Sequence, residues 1–154
     1  MDRQWKANVT VAAVIERDGR FLVVEEDTVD GRRFNQPAGH LERGESLVDA
    51  VAREVLEETG HHFVAEGLVG VYMADKGDGS DVTYLRFAFF GRVTGVEPAR
   101  ALDDGIVAAR WLSGDELAAL RDAHRSPLVG RCVADYLAGR RFGLDLLYRH
   151  EDQA

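Results

Sequence analysis

The sequence predicts an α/β fold in which helices sandwich a mixed central sheet, and three observations carry that prediction. Residues 8–15 (NVTVAAVI) and 20–25 (RFLVVE) are β-branched, apolar runs too continuous for a one-sided sheet, so both faces of those strands must be covered. A strongly punctuated amphipathic helix follows over residues 46–60. Further strand-like runs are separated now by turns, now by helices, which implies strand pairing in both senses with helices packed outside. The chain has 154 residues, enough for a compact domain with a real core. No repeat, low-complexity segment or linker divides it, so one domain over residues 1–154 is expected.

In order along the chain, Asp18-Gly19 sits between the first two apolar runs and is a hairpin signal. Residues 28–33 read as a polar loop, and Gln36-Pro37-Ala38-Gly39 leads into the helix. Ser46 with Asp49 makes a capping-box pattern, and Gly60 is a natural stop. Leu47, Val48, Val51, Ala52, Val55 and Leu56 form the apolar side. Glu54, Glu57 and Glu58 cluster roughly 120° from its centre, so the helix buries one face and displays carboxylates on another. Residues 68–73 and 82–93 read as strands flanking a polar turn, ADKGDGSD, and residues 107–112 as the last strand. Ser113 with Glu116 caps a short helix, and Ser126-Pro127 starts another that ends near Gly139.

The net charge is −8, with 27 acidic against 19 basic residues, which argues against a nucleic-acid polymer as partner. An acidic protein that handles an anionic substrate needs local cations, either arginines or metal ions. The first ten residues are interrupted by charge with no apolar stretch after them, and no apolar run is long enough to span a membrane. The one cysteine, Cys132, cannot form an intrachain disulfide and fits a small buried helix position. A cytoplasmic location is the expectation. The turn at residues 75–81 lacks the acids of a calcium loop, and the five histidines lack zinc-ligand spacing. The charged tail at residues 149–153 reads as solvated.

The chemistry concentrates in residues 39–61, GHLERGESLVDAVAREVLEETGH. Glutamates at i, i+3 and i+4 share one stripe of a helix and repel one another unless a positive charge sits among them. A hard divalent cation such as Mg²⁺ takes oxygen ligands and suits the stripe, which points to phosphate chemistry. Arg53 lies one turn before Glu57 and can pair with it and fix its rotamer.

Gly39, Glu45, Arg53, Glu54, Val55, Glu57, Glu58 and Gly60 fall on the signature of the Nudix hydrolases, and the chain resembles that family. Only His61 departs, at a position that is normally aliphatic. The resemblance implies the Nudix α/β/α sandwich and hydrolysis of phosphoanhydride bonds. It implies Mg²⁺, with Mn²⁺ as a substitute, held by Glu54, Glu57, Glu58 and the carbonyl of Gly39. Glu54 is the first choice for general base, Arg53 orients the ligands, and Glu45 supports the loop–helix junction behind them. An acidic residue often precedes the last strand in the family. Here Gly105 occupies its commoner place, which leaves Asp103 as the candidate.

NQPAGHLE at residues 35–42, YLRF at 84–87, Arg110-Trp111 and RSPLV at 125–129 resemble a phosphate-releasing branch of the family, over roughly residues 8–147. That branch implies nucleoside tri- and diphosphates as substrates, and also hydroxymethylpyrimidine and thiamine pyrophosphates. Arg86 on a strand can grip phosphate, its plain alternative being a solvated outward residue. Arg33 and Phe34 precede the box and flank its mouth, with Phe34 either stacking on a ring or filling the core. A monomer acting on a small molecule is expected. Competing readings are release of pyrophosphate or a monophosphate, and a silent nucleotide-sensing domain.

Overall fold

The first strand serves two cores at once. A computed structural model of the chain describes residues 3–151. In it β1 (Asn8–Val14) sends Val11 and Ala13 into one apolar cluster and Val14 into another. This alternation is what a continuous apolar run with two covered faces produces. β1 is interior to a four-stranded sheet. It pairs antiparallel with β5 (Ala38–His40) and parallel with β7 (Thr83–Val96), which pairs antiparallel with β6 (His61–Asp75). The expected mixed sheet is therefore present.

It is accompanied by a second sheet that the sequence did not separate from the first. β3 (Arg20–Thr28) pairs antiparallel with β2 (Glu16–Arg17), β4 (Gly31–Asn35) and β8 (Ile106–Ser113). The chain crosses between sheets at Ile15, whose carbonyl accepts from Leu22 N at 3.0 Å. Asp18 (φ 53°) and Gly19 (φ 78°) turn the hairpin that folds β2 back on β3. Positive φ at both central residues matches the right-handed twist of the strands.

Residues 28–33, expected as a loop, form a hairpin instead. Thr28 pairs with Gly31 across Val29-Asp30, and its hydroxyl accepts from Asp30 N and donates to Gly31 O. Polarity misled the reading. Arg32 bonds Asp27 at 2.8 Å and lies 3.5 Å from Glu25, so cross-strand charge pairs support these strands where apolar contacts do not.

α1 (Leu47–Thr59) packs on one side of the mixed sheet. Ser46 Oγ accepts from Asp49 N, and Gly60 (φ 72°) closes the helix by donating to Leu56 O. Val51 and Val55 are completely buried, each stabilising the fold by about 1.5–3 kcal/mol. α2 (Gly114–Ala119), with its complete Ser113–Glu116 capping box, and α3 (Leu128–Leu137) cover the second cluster through Leu117, Cys132 and Val133. β6 starts directly after Gly60, and His61 packs edge-on against Trp111, so the one departure from the signature still serves packing. After α3 the chain returns along the outer edge of the mixed sheet, where Phe142 and Leu68 exchange both backbone hydrogen bonds, 2.8 and 2.7 Å. Gly67 permits that approach, since a Cβ there would stand 2.6 Å from Phe142 O. In the charged tail Arg149 and Glu151 pair at 3.2 Å, while Asp152 and Gln153 lie outside the described residues. No described helix is long and apolar enough to cross a membrane.

Candidate active site

The last two turns of α1, strand β5, the loop before β8 and the end of β3 converge on one acidic centre. The carboxylates of α1 are not displayed as the helical wheel implies. Glu54 is 7% exposed and Glu58 is 9% exposed, because neighbouring segments fold over them. β5 covers one side. A Cβ on Gly39 would overlap the Glu54 carboxylate, so the glycine in the signature lets backbone lie against a ligand oxygen. Glu58 Oε1 accepts from Ala38 N at 2.8 Å. The sequence reading set Glu58 nearest Gly39; in the structure Glu54 holds that place.

The other side is covered by the loop carrying Asp103. Gly105 (φ 88°) makes the turn, its carbonyl accepts from Asp27 N, and Ile106 N bonds Asp103 O. That turn brings Asp103 back so that its N–H donates to Glu57 O at 3.0 Å. One oxygen each from Glu54, Glu57 and Asp103 then lies within 4.8 Å of the others. Opposite ligands of an octahedral Mg²⁺ stand about 4.2 Å apart, so three hard oxygens at this spacing fit such an ion. Glu58, expected among the ligands, lies outside this set.

Arg53 holds the cluster from behind. Its Nε and Nη2 donate to Glu45 at 3.0 and 2.7 Å, and its Nη1 to Glu54 and Glu57 at 2.8 and 3.2 Å. Nη2 also bonds the carbonyl of His40. The sequence paired Arg53 with Glu57, but Glu45 is its bidentate partner. Glu45 in turn accepts from Glu42 N, which fixes the loop ahead of α1. The hydrogen bonds from Arg53 hold the Glu45 carboxyl below its usual range. Burial raises Glu54 against the pull of Arg53. Glu58 is pushed up to about 8, first by burial and then by the charges of Glu54, Glu26 and Asp103, against the Ala38 N–H.

Glu26 belongs to this wall and sequence reading missed it. Its signal was a pair of acids, Glu25-Glu26, ending an apolar strand, where unpaired charges are costly. A register shift at this pair separates their directions. Glu25 is held by Arg110 at 2.8 Å, and Glu26 by Arg125 at 3.1 Å.

The three candidate substrate contacts fare differently. Arg33 is half-buried opposite Glu26 in the β3–β4 ladder, with Nη1 on Arg32 O. Phe34 is 9% exposed and packs in the second core cluster with Val23 and Leu117, so its ring is a core element and not a stacking platform. Arg86 is 7% exposed, not solvated. Its guanidinium donates to Gln36 Oε1 at 3.0 Å and Asn35 Oδ1 at 3.1 Å, and no carboxylate pairs with it among the described residues. Gln36, itself buried, passes the link on to Val129 O in α3.

A carboxylate triad at metal spacing, a backbone glycine against it and an arginine clamp behind it, all on an α/β/α sandwich, define a class. The NUDIX domain model matches residues 5–130, and the chain belongs to the Nudix hydrolase family. It is therefore an enzyme, a Nudix phosphohydrolase. It is 38% identical over 144 residues to the phosphatase NudJ of Escherichia coli K12, covering 93% of this chain and 92% of that protein. A solved NUDIX hydrolase from Nitrosomonas europaea is 52% identical and superposes with a TM-score of 0.90 over 94% of this chain and 98% of its own. A UDP-X diphosphatase at 20% identity, TM-score 0.72, covering 92% of this chain and 68% of its own, shares the fold.

Proposed function

We propose that the chain is a Mg²⁺-dependent phosphohydrolase that cleaves the terminal phosphoanhydride of nucleoside tri- and diphosphates and releases inorganic phosphate. Hydroxymethylpyrimidine and thiamine pyrophosphates, which carry the same diphosphate, belong to the same substrate class. One observation carries the reading: the oxygens of Glu54, Glu57 and Asp103 converge at a spacing that suits a hard cation. The similarity to a phosphatase favours release of phosphate over pyrophosphate. Mn²⁺ substitutes for Mg²⁺ because the ligands are all oxygen.

When bound, the ion neutralises phosphate oxygens and activates a water. Glu54, Glu57 and Asp103 hold it, with the Gly39 carbonyl beside them. Arg53 keeps two of those carboxylates in place. Glu58 has one oxygen on Ala38 N, and its other oxygen takes the proton of the attacking water. This reassigns the base from Glu54, whose Oε1 is bound to Arg53. Arg33 and Arg86 supply cations that hold the phosphate chain in register. The chain works as a single Nudix domain and a monomer in the cytoplasm.

The test is product analysis. GTP and thiamine pyrophosphate are incubated with Mg²⁺, with Mn²⁺ and with chelator, in ¹⁸O-labelled water. Phosphate carrying the label, absent under chelation, is the expected result. Pyrophosphate as the main product from GTP overturns the phosphatase reading, and undiminished turnover in chelator overturns the metal.

A further inference from the structure

Beyond the acidic wall lies a cavity of 570 Å³ between the 3₁₀ turn Arg121–Ala123 and the start of α3. Its size is that of a small-ligand pocket. Its charge sets it apart in a chain of net charge −8, because Arg121, His124, Arg125 and Arg131 all line it and no acidic residue does. Three guanidiniums gathered round one space repel one another unless an anion enters. Arg125 and Arg131 are relieved at the rim by Glu26 and Asp135, at 3.1 and 3.0 Å. Arg121 has no ion-pair partner among the described residues.

The cavity is fixed to the acidic centre at two points. Arg125 N donates to Phe34 O at 2.8 Å, and Phe34 bridges to His124 as neighbouring strands do, so β4 forms the shared partition. Arg125 also holds Glu26, whose charge is felt at Glu58. His124 Nε2 lies 2.8 Å from Leu117 O, so that nitrogen carries the proton and the ring is locked. Gly130 adds no side chain to fill the space.

We propose that this cavity is an anion subsite that binds the phosphate retained on the organic product while the outer phosphorus lies at the carboxylates. The assignment rests on the phosphohydrolase reading and supplies its register. A chain anchored at its inner phosphate by arginines presents its outer end to Glu54, Glu57 and Asp103, and inorganic phosphate leaves. Recognition of a phosphate by two or more guanidiniums is bidentate and strong.

The experiment measures GMP and inorganic phosphate binding to the full chain by calorimetry in chelator, where the acidic centre repels anions. GMP should bind the wild type and weaken as salt rises. An R121A/R125A variant should lose affinity by roughly tenfold or more, and R121K/R125K should retain most of it. Glu57→Gln should not weaken binding. In kinetics with GTP, Arg121→Ala should raise KM by roughly tenfold with kcat little changed, and R121A/R125A should release more pyrophosphate. These arginines are exposed, and a second single variant, Arg121→Glu, keeps the test decisive if the double variant unfolds. Equal GMP affinity in wild type and Arg121→Glu overturns the proposal. Loss of phosphate binding with an unchanged KM for GTP also overturns it, since the cavity would then serve free phosphate. Failure of wild type to hydrolyse GTP, with GMP binding intact and arginine-dependent, sinks the phosphohydrolase reading alone.

Discussion

Replacing Arg53 by alanine removes five hydrogen bonds at once, to Glu45 twice, to Glu54, to Glu57 and to the His40 carbonyl. Charge-assisted bonds are individually worth about 1.5–3 kcal/mol, and stripping a buried pair of one partner costs about 3–5 kcal/mol. The bonds share one side chain that is 22% exposed, which lowers the sum through solvent screening. About 2–4 kcal/mol is the net expectation, or roughly 5–10 °C in Tm for a chain of this size. The larger share arises because Glu54 and Glu57 are left facing each other and Asp103 without a cation. Added Mg²⁺ should therefore restore more stability to Arg53→Ala than to wild type. Catalysis should fall roughly 10–100-fold in kcat with KM little moved, since a positioning group is lost and not a substrate contact. Arg53→Lys should recover part of the stability but less of the rate, because an ammonium cannot span Glu45 and Glu54 together. Denaturant melts with and without Mg²⁺, run beside steady-state kinetics, read both effects. An alanine variant of wild-type stability, with raised KM and unchanged kcat, would refute the clamp.

Asp103→Asn should raise the Mg²⁺ concentration for half-maximal activity by roughly tenfold or more, read from a metal titration, and an unchanged titration would remove Asp103 from the ligand set. Glu58 is raised from 4.5 to about 8 in the folded chain, so its protonated form stabilises the fold fully below about 4.5, and that contribution is lost as pH climbs to about 8. Urea melts in chelator should therefore show the wild type weaker at pH 8 than at pH 6, with Glu58→Gln flatter; a flat wild-type profile counts against it. Gly39→Ala forces a methyl into the Glu54 carboxylate and should lower kcat by roughly 100-fold while costing about 1–3 kcal/mol, measured by kinetics and melts. Ser113→Ala, at the capping box of α2, should cost about 1 kcal/mol in the same melts and leave kcat alone.

The sequence made local features legible and distant ones obscure. Ser46, Gly60 and the Asp18-Gly19 turn were readable because each satisfies or bends the backbone within a few residues. The glutamates and Arg53 were readable because a helix fixes their spacing. The burial of Glu54 and Glu58 was not, since it comes from β5 and the loop before β8, far away in sequence. Asp103 was obscured by Gly105, which looked like a lost ligand and is the turn that delivers one. Polarity hid the β3–β4 hairpin, whose strength lies in paired charges, and Phe34 could be placed in the core only once α2 and α3 were folded above it. Arg86 gave no sequence sign that its partners would be two neutral amides.

The backbone exchange between Phe142 and Leu68 bears on how this enzyme behaves at high concentration. β6 is an outer strand, and an open strand edge is a template on which another chain can add. The returning segment occupies that edge at Leu68, next to the residues where the register of β6 and β7 shifts twice. The plug and the irregular ladder together blunt the one stretch of edge that lies beside buried Leu68 and Val69. A chain shortened before Phe142 would keep every carboxylate of the centre and lose this guard. Its first symptom would be self-association into strand-paired aggregates, with the chemistry still intact in whatever remains dispersed.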